Sequence, residues 1–229
     1  MVRRDEVHKE VPIVITSVGS PAPVIEPLHQ AGTFVFADVA SLAHARKAVD
    51  AGADGLVLLS AGAGGHTGWA NPFAFVRAVR GFFDGPLAVA GGMSDGYALW
   101  GAVAAGFDLG MFGTRFIASA EANAADAYKQ MLVDSRAEDI VYTNLFTGVH
   151  GNYLRGSIER AGLDPANLPE SDPSKMNFGG GAAAKAWKDI WGCGQGIGAV
   201  KSVVPAAELI DRLYREYEEA RERLNLAHH

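Results

Sequence analysis

The sequence predicts an α/β fold: a partial TIM-type (β/α) barrel of about five parallel β/α units, followed by a C-terminal helical segment. Three observations predict it. Five short apolar runs alternate with helix-period stretches between Val11 and about Ala120. The runs are nearly continuous in apolar character, as parallel strands covered on both faces are. They recur every 20 to 28 residues or so, close to the repeat of an eight-unit barrel, although only five units are visible.

The first run, Val11–Thr16, is β-branched and predicts the opening strand. Thr33–Ala37 predicts the second. A helix follows in which Leu42, Ala45, Val49 and Ala53 recur at three- and four-residue steps. Gly55–Leu59 predicts the third strand, and Asn71-Pro72 opens a helix whose Phe73, Val76, Val79, Arg80 and Phe83 mix core face and rim. Pro86–Ala90 and Leu109–Phe112 predict the fourth and fifth strands.

Past Ala120 the pattern changes, and we divide the chain there: residues 1–120 as the partial barrel, residues 121–229 as a helical and loop region packing on it. Glu121–Arg136 predicts a helix with Ala124, Ala127, Tyr128 and Met131 on one face. Thr143–Ser157 is glycine-punctuated and predicts irregular structure, and Leu163–Pro173 a Pro/Asp-rich connection. Gly179-Gly180-Gly181 precedes a helix around Ala182–Trp191, with Trp187 and Trp191 as core anchors. Pro205 opens a terminal helix with an apolar stripe of Ile210, Leu213, Tyr217, Ala220 and Leu224.

Composition narrows the function. The 229 residues are 48% hydrophobic, a globular level with ample chain for a core. No run approaches the ~18 apolar residues of a membrane span, and the charged N-terminal residues form no signal core. One cysteine, Cys193, excludes an intramolecular disulfide framework and predicts a reducing, cytoplasmic setting. The net charge of −6, with scattered Lys and Arg, gives no footprint for nucleic acid. No His/Cys/Asp/Glu spacing suggests a metal site.

Chemistry concentrates in three glycine loops at predicted strand ends: Ser60–Gly68, Ala90–Gly96 and Phe112–Phe116. Bare glycines let backbone approach a flat or anionic ligand closely. The loops at Gly91-Gly92 and Gly113-Thr114 follow the last two strands, where barrels of this type often bind phosphate. There the Thr114 hydroxyl is an additional donor. Arg115 fits either added charge at that site or a salt bridge to a neighbouring helix. Asp95 reads as a helix cap. The first loop carries one titratable group, His66. Of the other histidines, His29 and His44 read as surface or satisfied helix residues, and His150 as a weak pocket candidate.

At Ala63-Gly64-Gly65-His66-Thr67-Gly68, Ala90-Gly91-Gly92-Met93-Ser94-Asp95-Gly96 and Gly113-Thr114-Arg115-Phe116, the sequence resembles the nitronate monooxygenase family. Lys185–Trp191 leading into Gly194-Gln195-Gly196-Ile197-Gly198 is similar to that family's C-terminal part. The resemblance implies an FMN-dependent barrel enzyme that oxidises alkyl nitronates with O2 to a carbonyl compound and nitrite. It implies His66 as the catalytic histidine, taking a proton from a nitroalkane or holding an anionic nitronate. It implies Ala63, Gly64, Gly65, Gly91, Gly92, Gly113, Thr114 and Gln195 as the FMN-binding set, with no metal. Cys193, lacking an identifiable base, reads as a packing residue.

The FMN-dependent enoyl-acyl-carrier-protein reductases share the Gly-Gly-His loop and the later phosphate loops, and form the alternative enzyme reading. Barrels of the inosine-monophosphate dehydrogenase kind place a cysteine where this chain has His66. The resemblance also implies three earlier β/α units, making Val11–Thr16 the fourth strand of eight. Five units alone expose strand edges, so the expectation is self-association, an N-terminal half-barrel partner, or a non-catalytic fragment.

Overall fold

Strands and helices alternate along the first half of the chain, and the computed structural model describes residues 11–172 and 189–226. In order, the elements are β1 (Ile13–Thr16), α1 (Ala22–Gln30), β2 (Phe34–Val39), α2 (Leu42–Asp50), β3 (Gly55–Leu59), β4 (Gly65–His66), α3 (Pro72–Arg80), β5 (Leu87–Ala90), α4 (Gly96–Ala105) and β6 (Leu109–Met111). There follow α5 (Thr114–Ile117), α6 (Asp126–Asp134), β7 (Ile140–Thr143), β8 (Gly151–Leu154), α7 (Arg155–Arg160) and α8 (Ala206–Leu226), with 3-10 turns at Ala137–Asp139 and Gln195–Ala199.

Five strands form one sheet in the order β1-β2-β3-β5-β6, and three form a second in the order β4-β8-β7. The parallel register runs Ile13 against Phe34, Phe36 against Gly55 and Leu56 against Leu87. The predicted α/β class and five-stranded parallel sheet are therefore present, each strand within two residues of its predicted limits.

The chain packs as two compact units. The first takes residues up to Ser60, then Trp69–Ala90 and Ala102–Gly110. Its sheet is apolar through β2, β3 and β5, where Val35, Leu56, Leu58 and Leu87 are fully buried. Burial of each such side chain stabilises by roughly 1.5–3 kcal/mol. Helix α3 starts where Asn71-Pro72 predicts: the Asn71 side chain accepts the Phe73 N–H at 3.0 Å. Its inward residues are Phe75, Val76 and Val79, whereas Phe73 sits on the solvent side. On α2 the buried positions are Ala45 and Ala48, and Leu42 at the first turn is exposed.

The second unit takes Ala61–Gly68, Gly91–Gly101 and the chain from Met111 on. Its core gathers Ala118, Leu132, Leu154, Trp191, Cys193, Ile197 and Val200. Trp191 anchors this core as expected, stacked on Tyr128 with 4.7 Å between ring centroids. Three expectations are corrected here. The stretch read as irregular from Thr143 holds β8, which pairs antiparallel with β7 just before it, Ile140 against Leu154; its short length and glycine hide the strand pattern. The helix read from Glu121 begins only at Asp126, because the Glu121 carboxylate instead accepts the Ala206 N–H at the start of α8. On α8 the buried face is Leu209, Leu213 and Ala220, whereas Ile210 is exposed. Gly179–Gly181, the helix proposed over Ala182–Trp191 as far as Lys188, and Trp187 lie outside the described residues, as does the side chain of Leu224.

Candidate active site

All nine residues singled out from the sequence, His66 and the eight cofactor positions, fall in the second unit. Its organising atom is the carbonyl oxygen of Gly62. It accepts the Gln195 N–H at 2.8 Å and the Gly92 N–H at 3.3 Å. Three loops distant in sequence thus meet at one acceptor. A fourth segment joins them through Thr114, whose hydroxyl oxygen accepts the Gly194 N–H at 2.9 Å. The Thr114 hydroxyl oxygen thus holds the 193–195 loop, a role the reading of it as a phosphate donor does not include.

The glycines of the first loop serve two ends. Gly62 takes φ +97°, and a Cβ there would fall 2.8 Å from the Gln195 side-chain oxygen. At Gly64 a Cβ would fall 2.7 Å from the Gly194 nitrogen. These two are needed for packing against the 193–195 loop. Around Gly65, Gly92 and Gly113 a Cβ would meet nothing within 4 Å, so their backbone borders open space. Ala63 is buried, and its carbonyl accepts from the Asn152 side-chain amide at 2.7 Å.

His66 is held in a strand rather than in a free loop. Gly65 and His66 form β4, paired antiparallel with Asn152 and Gly151 of β8. The imidazole Nε2 lies 2.8 Å from the Thr147 hydroxyl. That hydroxyl directs its proton to Val149 O at 3.0 Å and accepts the Val149 N–H at 3.2 Å. With that proton engaged by Val149 O, the hydroxyl oxygen is placed to accept from Nε2 in the tautomer that carries its proton there. The ring is partly buried.

Neighbouring groups follow from burial. Cys193 is fully buried with its thiol pushed up to about 12, and Sγ donates to Gly194 O at 3.4 Å. It is a packing residue. Arg115 is 6% exposed and donates to the Ala199 carbonyl, a contact that neither sequence reading includes. Asp95 caps α4, accepting the Ala98 N–H at 2.8 Å. His29 pairs with Asp54 at 2.8 Å, and His150 stacks on exposed Tyr142. Sequence reasoning misses Asn152 and Thr147, the two residues that hold the histidine loop. The available signal was polar residues flanking His150 in Thr147–Asn152.

Parallel β/α repeats with glycine loops between strand and helix put the chain in the class of (β/α)-barrel proteins. Residues 2–216 match the nitronate monooxygenase family, and the chain belongs to it. Members of that family are flavin-dependent oxidoreductases. A nitronate monooxygenase of Paraburkholderia phytofirmans is 30% identical over 94% of this chain and 64% of its own length. The chain thus spans about two thirds or less of the curated relatives it matches over most of its length. Among solved structures, a nitroalkane oxidase of Streptomyces ansochromogenes superposes with a TM-score of 0.78 at 29% identity, covering 96% of this chain and 67% of that one. FabK of Thermotoga maritima superposes at 0.75 and 28%, covering 95% and 71%. Among the described residues, no helix is long and apolar enough to cross a membrane.

Proposed function

We propose that the chain oxidises alkyl nitronates, with FMN as cofactor and O2 as oxidant, to a carbonyl compound and nitrite. The observation that carries this reading is the convergence of three glycine loops and the 193–195 loop on Gly62 and Thr114, beside a positioned histidine. The residues fit a flavin. Open backbone at Gly92 and Gly113 leaves room for a phosphate, and Gly65 leaves room for a flat ring system. When bound, FMN supplies the electron chemistry with substrate and O2. Ala63, Gly64, Thr114 and Gln195 support it chiefly by fixing the loops, and Gly91 by the φ of +129° that turns its own loop.

His66 acts on the proton. With Nε2 donating to Thr147, Nδ1 takes the proton α to the nitro group of a nitroalkane, and the resulting imidazolium holds the nitronate anion. Thr147 keeps the ring in the tautomer that can do so. The single buried thiol supports a reducing, cytoplasmic setting.

The test is nitrite release and O2 uptake by the purified chain supplied with FMN and an alkyl nitronate. Turnover that depends on both FMN and His66 supports the reading. Flavin reduction by NAD(P)H, with no nitrite formed, would replace it by the enoyl-acyl-carrier-protein reductase alternative.

A further inference from the structure

The second unit holds a cavity of about 500 Å³ bordered by Asp95, Arg115, Gln195, Lys201, Arg212 and Glu216, among others. Neither Gly92 nor Gly113, the positions proposed for the flavin phosphate, borders it, and of the proposed cofactor set Gln195 alone does. Three cations face two carboxylates, and both carboxylates are already engaged. Asp95 accepts the Ala98 N–H at 2.8 Å, and Glu216 accepts the Gly96 N–H at 3.0 Å. Among the described residues, the acidic partner of Arg212 is Glu208, one turn away on the exposed face of α8, at 3.1 Å. Such exposed pairs bind weakly.

Arg115 is the distinctive member. Only 6% of it is exposed, its guanidinium donates to the Ala199 carbonyl, and its buried Nε–H has no acceptor among the described residues. Buried polar groups are normally satisfied, so an orphaned one marks a missing partner. Burial holds Arg115 below the usual guanidinium range, and the positive charge of Arg212 adds to the effect. Lys201, on the exposed rim, has no ion-pair partner among the described residues.

We infer that this cavity binds the phosphate group of an anionic ligand, with Arg115 at its base and Lys201 and Arg212 at its rim. Guanidinium forks match phosphate oxygens in two-point contacts, and a lysine adds a mobile charge. The volume lies in the range of small-molecule sites and exceeds what one phosphate fills, so the phosphate is carried on a larger body. Gln195 connects the cavity to the histidine loop, since its backbone N–H is held by Gly62.

Inorganic phosphate is the probe, titrated against the melting temperature of the chain at constant ionic strength. The expected result is a saturable rise. Lys201→Gln and Arg212→Gln, both at accessible positions, each weaken apparent affinity by about tenfold, the usual loss of one charge-assisted contact. Gly113→Asp puts a negative charge beside the proposed flavin-phosphate position and leaves phosphate affinity within about twofold. A wild-type chain with no saturable rise overturns the inference. So does a response lost in Gly113→Asp but kept in both rim variants, which would assign the phosphate to the flavin loops.

Discussion

Asp54 and Val35 exchange two hydrogen bonds: the Asp54 N–H donates to Val35 O at 2.9 Å, and the Asp54 carboxylate accepts the Val35 N–H at 2.7 Å. The same clamp recurs two strands on. The Asp108 N–H donates to Leu87 O at 2.9 Å, and its carboxylate accepts the Leu87 N–H at 2.8 Å. Each aspartate also pairs with a side chain from the helix before its partner strand, His29 of α1 in one case and Arg80 of α3 in the other. Ala-Gly-Ala-Asp-Gly and Ala-Gly-Phe-Asp-Leu-Gly are thus one device used twice. Asp54→Ala and Asp108→Ala are each expected to cost about 1–3 kcal/mol, because a strand N–H loses its acceptor. The two losses should add, since the sites share no partner. Urea denaturation of the single and double variants measures both points.

His66→Ala should lower turnover of a nitroalkane by ~10²–10⁴-fold, the range of a lost general base. A preformed nitronate, which needs no proton removed, should suffer less. Thr147→Val should fall between, with Thr147→Ser close to wild type, because serine keeps the oxygen that accepts from Nε2. Steady-state rates on the two substrate forms decide. Equal losses on both would leave His66 an anion-binding role only.

Gly64 and Gly113 should respond oppositely to alanine. At Gly64 the new methyl meets the Gly194 nitrogen at 2.7 Å, so backbone must shift. A destabilisation of about 1–3 kcal/mol is expected. At Gly113, with φ −92° and nothing within 4 Å, alanine should leave the melting temperature unchanged. If it weakens FMN retention in that intact fold, the flavin assignment gains direct support.

Cys193 should resist alkylation at pH 8 until the chain unfolds, since burial pushes its thiol up to about 12. The folded value lies above the ordinary thiol value. Its stabilising contribution is therefore complete below about pH 8.5 and lost as pH rises towards 12. Over that interval wild type should lose stability faster than Cys193→Ala, by up to about 1.4 kcal/mol per pH unit. Denaturation midpoints at several alkaline pH values test the difference in slope.

Strand β1 carries Ile13 and Ile15, each 49% exposed, and Phe34 lies beside Ile13 in the register at 59% exposed. An apolar edge of this kind favours association. Mass in solution is expected to rise with concentration, and Ile13→Lys with Ile15→Lys should lower it. A wild-type chain that stays monomeric throughout would show that these side chains remain in water.

The five parallel strands are legible because each is an apolar run closed by glycine or a polar residue, and because α3 and α8 announce themselves with proline. The strands β7 and β8 are not. Gly151-Asn152-Tyr153-Leu154 is buried at every position, so it shows no alternation, and its partner Gly65-His66 lies far back in the chain. The glycine loops point to the site, but their division of labour is invisible in sequence. Gly64 and Gly92 read alike, yet one is packed against backbone and the other borders open space. Thr114 is identified as a site residue for a donor role, and its second task, accepting the Gly194 N–H, is not visible in sequence.

The clamp of Gly62 by Gln195 sets an order of events during synthesis. Strands β1, β2 and β3 are paired in chain order and can come together while the ribosome is still translating the middle of the chain. The histidine loop cannot finish then. It waits for Asn152 to reach Ala63 and for Gln195 to reach Gly62, roughly 130 residues after His66 leaves the exit tunnel. At 5–20 residues per second that is a delay of about 6–26 s. Through that interval the nascent chain has paired strands but an unfinished histidine loop, so the completed loop is a late product of translation.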